Sequence, residues 1–152
     1  MRFTYAGVME NKGDYEAAIA EYENLLKQEP GSLIAANNLA SLLSDRRTDK
    51  ASLDRAYSVA MVLRKSQVPS FKDTLGWLDY LRGDYKSAVS LLEEAAAALP
   101  DRAVAQYHPG VASSAVGQAA KAAEQFRKAL ALSPDSSLQE KITAAQKKTA
   151  NN

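Results

Sequence analysis

The side chains with chemical reach are few and scattered. His108 is the only histidine, and there is no cysteine. One histidine makes no metal site, which needs three or four ligands at set spacing. The lack of cysteine excludes disulfides and thiolate ligands and leaves the redox compartment open. As a general base, His108 would need a nucleophile and an orienting acid beside it. Ser113 and Ser114 lie close in sequence, but no carboxylate stands where it would orient the ring. His108 therefore reads as a solvated or groove-lining residue, and no cofactor or catalytic activity is expected. The glycines form no phosphate-binding loop. Arg46, Arg47, Lys50 and Arg55 are interleaved with Asp45, Asp49 and Asp54. That cluster reads as a solvated loop rather than a nucleic-acid patch.

The elements that must carry these residues are helical and repeated. Gly83-Asp84-Tyr85 and Gly117-Gln118-Ala119 start 34 positions apart, as do Ala88 and Ala122, and Pro100 and Pro134. Gly13-Asp14-Tyr15, Ala18 and Pro30 lie 70 positions before Gly83-Asp84-Tyr85, Ala88 and Pro100. A fixed period in this range marks a solenoid of stacked helix pairs. Composition agrees: apolar residues make up 46% and charged ones 24%, which is globular rather than disordered. Abundant alanine favours helix. With 19 basic and 18 acidic side chains the net charge is +1, so nothing electrostatic calls for nucleic acid or an anionic membrane. No apolar run reaches the roughly 18 residues of a membrane span. Met1-Arg2-Phe3-Thr4-Tyr5 lacks the character of a signal peptide, which implies a cytoplasmic chain if Met1 is the natural start.

Each period divides into a helix A and a helix B. Phe71 to Arg82 carries Leu75, Leu78 and Leu81 on one stripe. Gly83 supplies the left-handed residue that closes this helix, and Asp84 caps the next. The first period reads as Phe3 to Lys12 and Tyr15 to Gln28, and the fourth as Ala103 to Val116 and Ala119 to Leu132. In the second, Leu33 to Ser44 and Leu53 to Lys65 flank a connection, Asp45 to Ser52, about four residues too long for the period. Ser136 to Thr149 reads as a last amphipathic helix with Leu138, Ile142 and Ala145 inward, covering an open end.

This pattern resembles the tetratricopeptide repeat (TPR) family: Leu75-Gly76, Gly83, Tyr85, Ala88, Ala95 and Pro100 in the third period; Gly110, Gly117, Ala122, Phe126, Ala129 and Pro134 in the fourth; Tyr5-Ala6, Gly13, Tyr15, Ala18, Tyr22 and Pro30 in the first. The second keeps Leu39-Ala40, Ala56 and Ala60 without the glycine. Asp73-Thr74-Leu75-Gly76-Trp77 also looks like part of bacterial TPR proteins encoded beside exopolysaccharide and protein-sorting systems. The resemblance implies an all-α solenoid, a right-handed superhelix of about four pairs plus a C-terminal capping helix. It implies a single TPR domain over 1–152, with repeats at about 1–32, 33–68, 69–102 and 103–136 and a cap at 137–149. Small residues in mid helix A and early helix B would let neighbouring helices approach closely.

Family geometry places Asn37, Asn38, Ser41, Ser44, Asp73, Thr74, Trp77, Tyr80, Tyr107, His108 and Val111 on a concave groove. The implied function is a non-catalytic scaffold binding a peptide or protein segment there, with asparagines bonding its backbone and aromatics anchoring it. Trp77 and Tyr80 equally read as packing against the adjacent repeat. The family's clamp for acidic chaperone tails is not expected, because its places hold Phe3, Gly7, Asn38, Ser70, Thr74, Val104 and His108, without lysine or arginine.

Two departures carry expectations. Helix A of the first repeat starts almost bare, leaving an apolar outer face for a preceding segment, another copy of the chain or a partner. Pro109 stands where the family has a buried leucine, so that helix is expected to kink or to begin near Pro109. The alternatives to a groove scaffold are a structural spacer or self-assembling segment, or an accessory domain of a larger enzyme or envelope or polysaccharide-export assembly.

Overall fold

The structure, a computed structural model, describes residues 2–151, with side chains from Tyr5 to Asn151. The described residues are α-helical with short turns, and no strand occurs among them. The helices are α1 (Arg2–Asn11), α2 (Tyr15–Gln28), α3 (Leu33–Arg46), α4 (Lys50–Ala60), α5 (Pro69–Leu81), α6 (Tyr85–Ala98), α7 (Ala103–Ala115), α8 (Ala119–Ala131) and α9 (Ser136–Ala150). A 3-10 segment, Met61–Lys65, follows α4. The chain divides into two compact units, one ending at Ser66 and the other beginning at Gln67.

Turn chemistry sets the helix ends. Gly13, Gly83 and Gly117 have φ of +78°, +86° and +78°, conformations that side chains resist, and each closes a helix A. Asp14 and Asp84 then accept from the backbone N–H of Ala17 and Ser87 at 3.2 and 3.3 Å, capping α2 and α6. Asp135 caps α9 in the same way through Leu138 N–H at 2.9 Å. Ser133 takes the left-handed position after α8 with φ of +51°, a role its residue type does not announce.

In the first unit α1 packs on α2, α2 on α3, and α3 on both α4 and the 3-10 segment. Its core is Ala6, Ala18, Tyr22, Leu39, Ala40, Ala56 and Leu63, each at most 2% exposed. In the second unit successive helices from α5 to α9 pack in order, and α7 also touches α5 and α9, the contact of one stacked pair with the next. Small residues in helix A make this stacking possible. A Cβ on Gly76 would stand 2.7 Å from Leu92 Cγ, and one on Gly110 would stand 2.6 Å from Phe126 Cε1. Leu92 and Phe126 are both fully buried, so each glycine is the hole that receives a large side chain of the following helix B. Ala122, Phe126, Ala129 and Ile142 form one core cluster, with Leu138 and Ala145 of α9 packed against it, which is the inward face expected for the last helix.

Three expectations need correction. First, the second pair has no eight-residue connection: α3 continues through Arg46, and Asp49 caps α4 by accepting Ser52 N–H at 2.9 Å. The extra residues lengthen helices, and the pair ends in the 3-10 segment instead of a continued α-helix. Second, the basic cluster is accordingly helical for the most part. Arg47 pairs with Glu16, Lys50 with Asp54 and Arg55 with Glu23, and the Arg46 guanidinium lies 3.8 Å over the Tyr15 ring. Third, of the two outcomes expected at Pro109, a helix start there is excluded, since α7 starts at Ala103 and runs through Pro109. Pro109 is fully buried between buried Ala105 and Ala112, and packing of α7 on α6 and α8 outweighs the roughly 3 kcal/mol local cost of an interior proline.

The expected bare face of α1 is visible at Tyr5 and Val8, which are 56% and 39% exposed. The expectation also rests on Met1 and Phe3, whose side chains lie outside the described residues. No helix among the described residues is long and apolar enough to cross a membrane.

Candidate functional site

The groove residues expected from sequence fall into two groups, one in each unit. In the first unit Asn37, Asn38 and Ser41 lie half-buried on α3. They line a pocket of about 490 Å³ whose other walls include Glu10 of α1 and Tyr22 of α2. A directional hydrogen-bond chain fixes its floor. Asn37 Nδ2 donates to Asn38 Oδ1 at 3.2 Å. Asn38 Nδ2 donates to the Tyr22 hydroxyl oxygen at 3.3 Å, and that hydroxyl donates to Glu10 Oε1 at 2.6 Å. Burial pushes the Tyr22 phenol up to about 12, and the bond to Glu10 and its charge add to the rise against a smaller opposing effect of Asn38. Tyr22 thus stays a neutral donor and holds the Glu10 carboxylate in place. Ser44, half-buried, turns its hydroxyl back to the Ser41 carbonyl at 2.9 Å, so it serves α3 itself.

The second unit gathers rings instead. Trp77 of α5 stacks on Tyr80 at a centroid distance of 5.0 Å and on His108 of α7 at 4.2 Å, with interplanar angles of 19° and 16°. Tyr80 continues the run to Tyr85 at 5.5 Å, and Tyr107 lies 6.3 Å from Trp77 and 6.1 Å from the buried Phe126. Trp77, Tyr80 and Tyr107 are half-buried, so they pack and remain accessible at once. Burial raises the phenols of Tyr80 and Tyr107, and the neighbouring phenol, Tyr85 for the first and Tyr80 for the second, adds to it. Val111 is half-buried and packs on the Phe126 cluster. Thr74 is buried and donates to the Ser70 carbonyl at 3.2 Å.

His108 differs from its sequence reading. It is 8% exposed, and its Nδ1 lies 3.1 Å from both carboxylate oxygens of Asp73. A carboxylate does orient the ring: Asp73 sits 35 positions earlier, on the preceding helix A. Sequence proximity to Ser113 and Ser114 is a poor guide here, because the partner comes from one period away. The Ser113 hydroxyl is buried and makes no hydrogen bond among the described residues, and the Ser114 hydroxyl bonds Thr149 of α9 at 2.8 Å. Neither serine is bonded to the His108 ring. Glu10 and Tyr22 also line the pocket of the first unit: the sequence marks Tyr22 only as a repeat position and does not mark Glu10, because a lone glutamate on a short helix carries no motif. Among the described residues no three His, Asp or Glu converge as a metal site.

Comparison with known proteins adds the family. A family model described as tetratricopeptide repeat matches residues 10–61 and 74–137, which is more than half of the chain. No curated protein matches the sequence. Among solved structures, a thermophilic TPR protein of Thermus thermophilus is similar with a TM-score of 0.68 at 21% identity, over 92% of this chain and 77% of that one. MamA of Desulfovibrio magneticus RS-1, from residue 41 to its end, gives 0.66 at 21% identity over 99% and 88%. Another MamA structure gives 0.63 at 19% over 99% and 85%. At these identities the likeness concerns the fold. With the family model spanning both units and the glycine holes filled by helix B side chains in the second, the chain belongs to the tetratricopeptide repeat family.

Proposed function

We propose that the chain is a non-catalytic scaffold that binds a peptide or protein segment along its helix A residues. Repeat proteins of this family are generally interaction modules, and the proposal adds where the contact is made. The observation that carries it is the pocket around Asn37, Asn38 and Ser41, about 490 Å³ in volume and lined by amide and hydroxyl groups fixed before any ligand arrives. Preset amides lower the ordering cost of binding an extended backbone, whose N–H and C=O they match. Asp73, Thr74, Trp77, Tyr80, Tyr107 and His108 are the corresponding residues of the second unit, with Trp77 and Tyr80 as half-buried aromatic anchors. We read the chain as one domain of four repeats, α1–α2 to α7–α8, closed by α9.

The test is capture of partners from a lysate of the source organism with the wild type, Asn38→Ala and Trp77→Phe, each checked by circular dichroism. A partner held by the wild type and lost from either variant supports the groove. A partner held equally by all three places the interface elsewhere. A second reading, self-association, is favoured by the exposure of Tyr5 and Val8 on α1. Sedimentation over a range of concentrations tests it: a mass that stays monomeric throughout rejects self-association.

A further inference from the structure

The pocket of the first unit has a chemical bias beyond backbone binding, and the inference rests on the groove reading above. Three successive bonds in its floor point the same way, from Asn37 to Asn38 to Tyr22 to Glu10. The chain ends on a carboxylate that is half-buried and, among the described residues, bonded only to Tyr22 through one of its two oxygens. The Tyr22 side chain is 2% exposed and carries no positive charge in either protonation state, so it supplies a hydrogen bond to Glu10 but no counter-charge. The one basic side chain among the described residues lining the pocket, Arg46, lies over the Tyr15 ring and makes no ion pair with Glu10. Glu10 is therefore a positioned acceptor that has lost part of its hydration without gaining a cation.

We propose that this pocket takes a lysine or arginine side chain of the bound segment, with its ammonium or guanidinium on Glu10 and the adjoining backbone on Asn37 and Asn38. A cation restores the interaction that Glu10 lost on leaving water, and the Asn38–Tyr22–Glu10 chain fixes the carboxylate for it. An acidic residue would face Glu10 and have only the exposed, displaceable Arg46 to meet.

The test is selection of short random peptides displayed on phage by the immobilised full chain, followed by titration of one selected synthetic peptide. The expected result is enrichment of Lys or Arg at one position, and weakening by about tenfold or more in Glu10→Gln, the loss of one charge-assisted hydrogen bond. Glu10→Gln keeps an oxygen for the Tyr22 hydroxyl, and circular dichroism verifies its fold. Arg46→Ala is expected to keep the basic preference. Selected peptides with acidic or no charge preference, or equal binding by Glu10→Gln, overturn the inference and leave the groove reading standing. No enriched peptide at all overturns both.

Discussion

One helix B position shows how the two units differ. Tyr22, Leu92 and Phe126 occupy it, at spacings of 70 and 34 residues, and all are at most 2% exposed. In the second unit the buried side chain is apolar and drops into a glycine hole, Leu92 at Gly76 and Phe126 at Gly110. In the first unit the matching helix A residue is Ala6, also fully buried, and the large side chain is a tyrosine whose hydroxyl reaches Glu10 and Asn38. The same register thus yields a hydrocarbon lock in one unit and the floor of a polar pocket in the other. A single added oxygen converts a packing position into part of a candidate site, provided that polar partners stand on the neighbouring helices.

The comparison breaks most visibly at Phe126. Phe126→Ala is expected to cost about 3–5 kcal/mol, because it empties the centre of the cluster with Ala122, Ala129 and Ile142. Urea unfolding checks it, with hydrogen exchange in α7, α8 and α9 reporting the local loss. Gly110→Ala tests the hole rather than the knob. Its Cβ would stand 2.6 Å from a fully buried ring, and a loss of roughly 1–3 kcal/mol is expected from overpacking. Gly7→Ala in α1, one position past the matching register, is a control of opposite sign. Among the described residues nothing lies within 4 Å of its added Cβ, so removing an interior helical glycine is expected to stabilise by roughly 0.5–1 kcal/mol. Equal losses at both glycines would mean that the holes are not what distinguishes Gly110.

Polar contacts sharpen the contrast with smaller effects. Asp73→Ala leaves the mostly buried His108 without its partner and is expected to cost about 1–2 kcal/mol. Tryptophan emission should change with it, since His108 stacks on Trp77. Tyr22 predicts a pH effect. Its folded value, about 12, lies above the ordinary value of 10, so between the two the native state keeps a proton that the unfolded chain has lost. Stability from this group is full below about pH 10 and falls as pH rises toward about 12. Denaturation at a series of alkaline pH values should show a shallower decline in Tyr22→Phe than in the wild type. Tyr80 and Tyr107, also raised, keep a residual decline of the same sign in both proteins.

Much of the fold is legible because its determinants are local. Gly13, Gly83 and Gly117 take positive φ, and Asp14 and Asp84 cap, through bonds spanning at most a few residues. Repetition then makes each reading a check on the next. The second pair escapes this check because it lacks the glycine, and Asp49 and Ser52, which cap α4, carry residue types equally common in loops. Pro109 does not start its helix, for the opposite reason: its local preference for a helix start is overridden by burial on two neighbouring helices. Of the candidate site, the helix A residues are legible as positions but their partners are not. Asp73 and His108 both stand out in the sequence, yet no spacing rule announces their bond, and Glu10 carries no motif at all.

Sequence alone determined the helical repeat, its period, the turns that close helix A in the first, third and fourth pairs and the helix that covers the C-terminal core, because each follows from short-range backbone geometry or from a periodic apolar stripe. Tertiary structure decided which side chains meet across helices: Arg46 over Tyr15, Asp73 with His108, His108 on Trp77, and Tyr22 between Asn38 and Glu10. Those pairings depend on rotamers and on the close approach of stacked helices, down to the missing Cβ of Gly110, and no spacing along the chain encodes them.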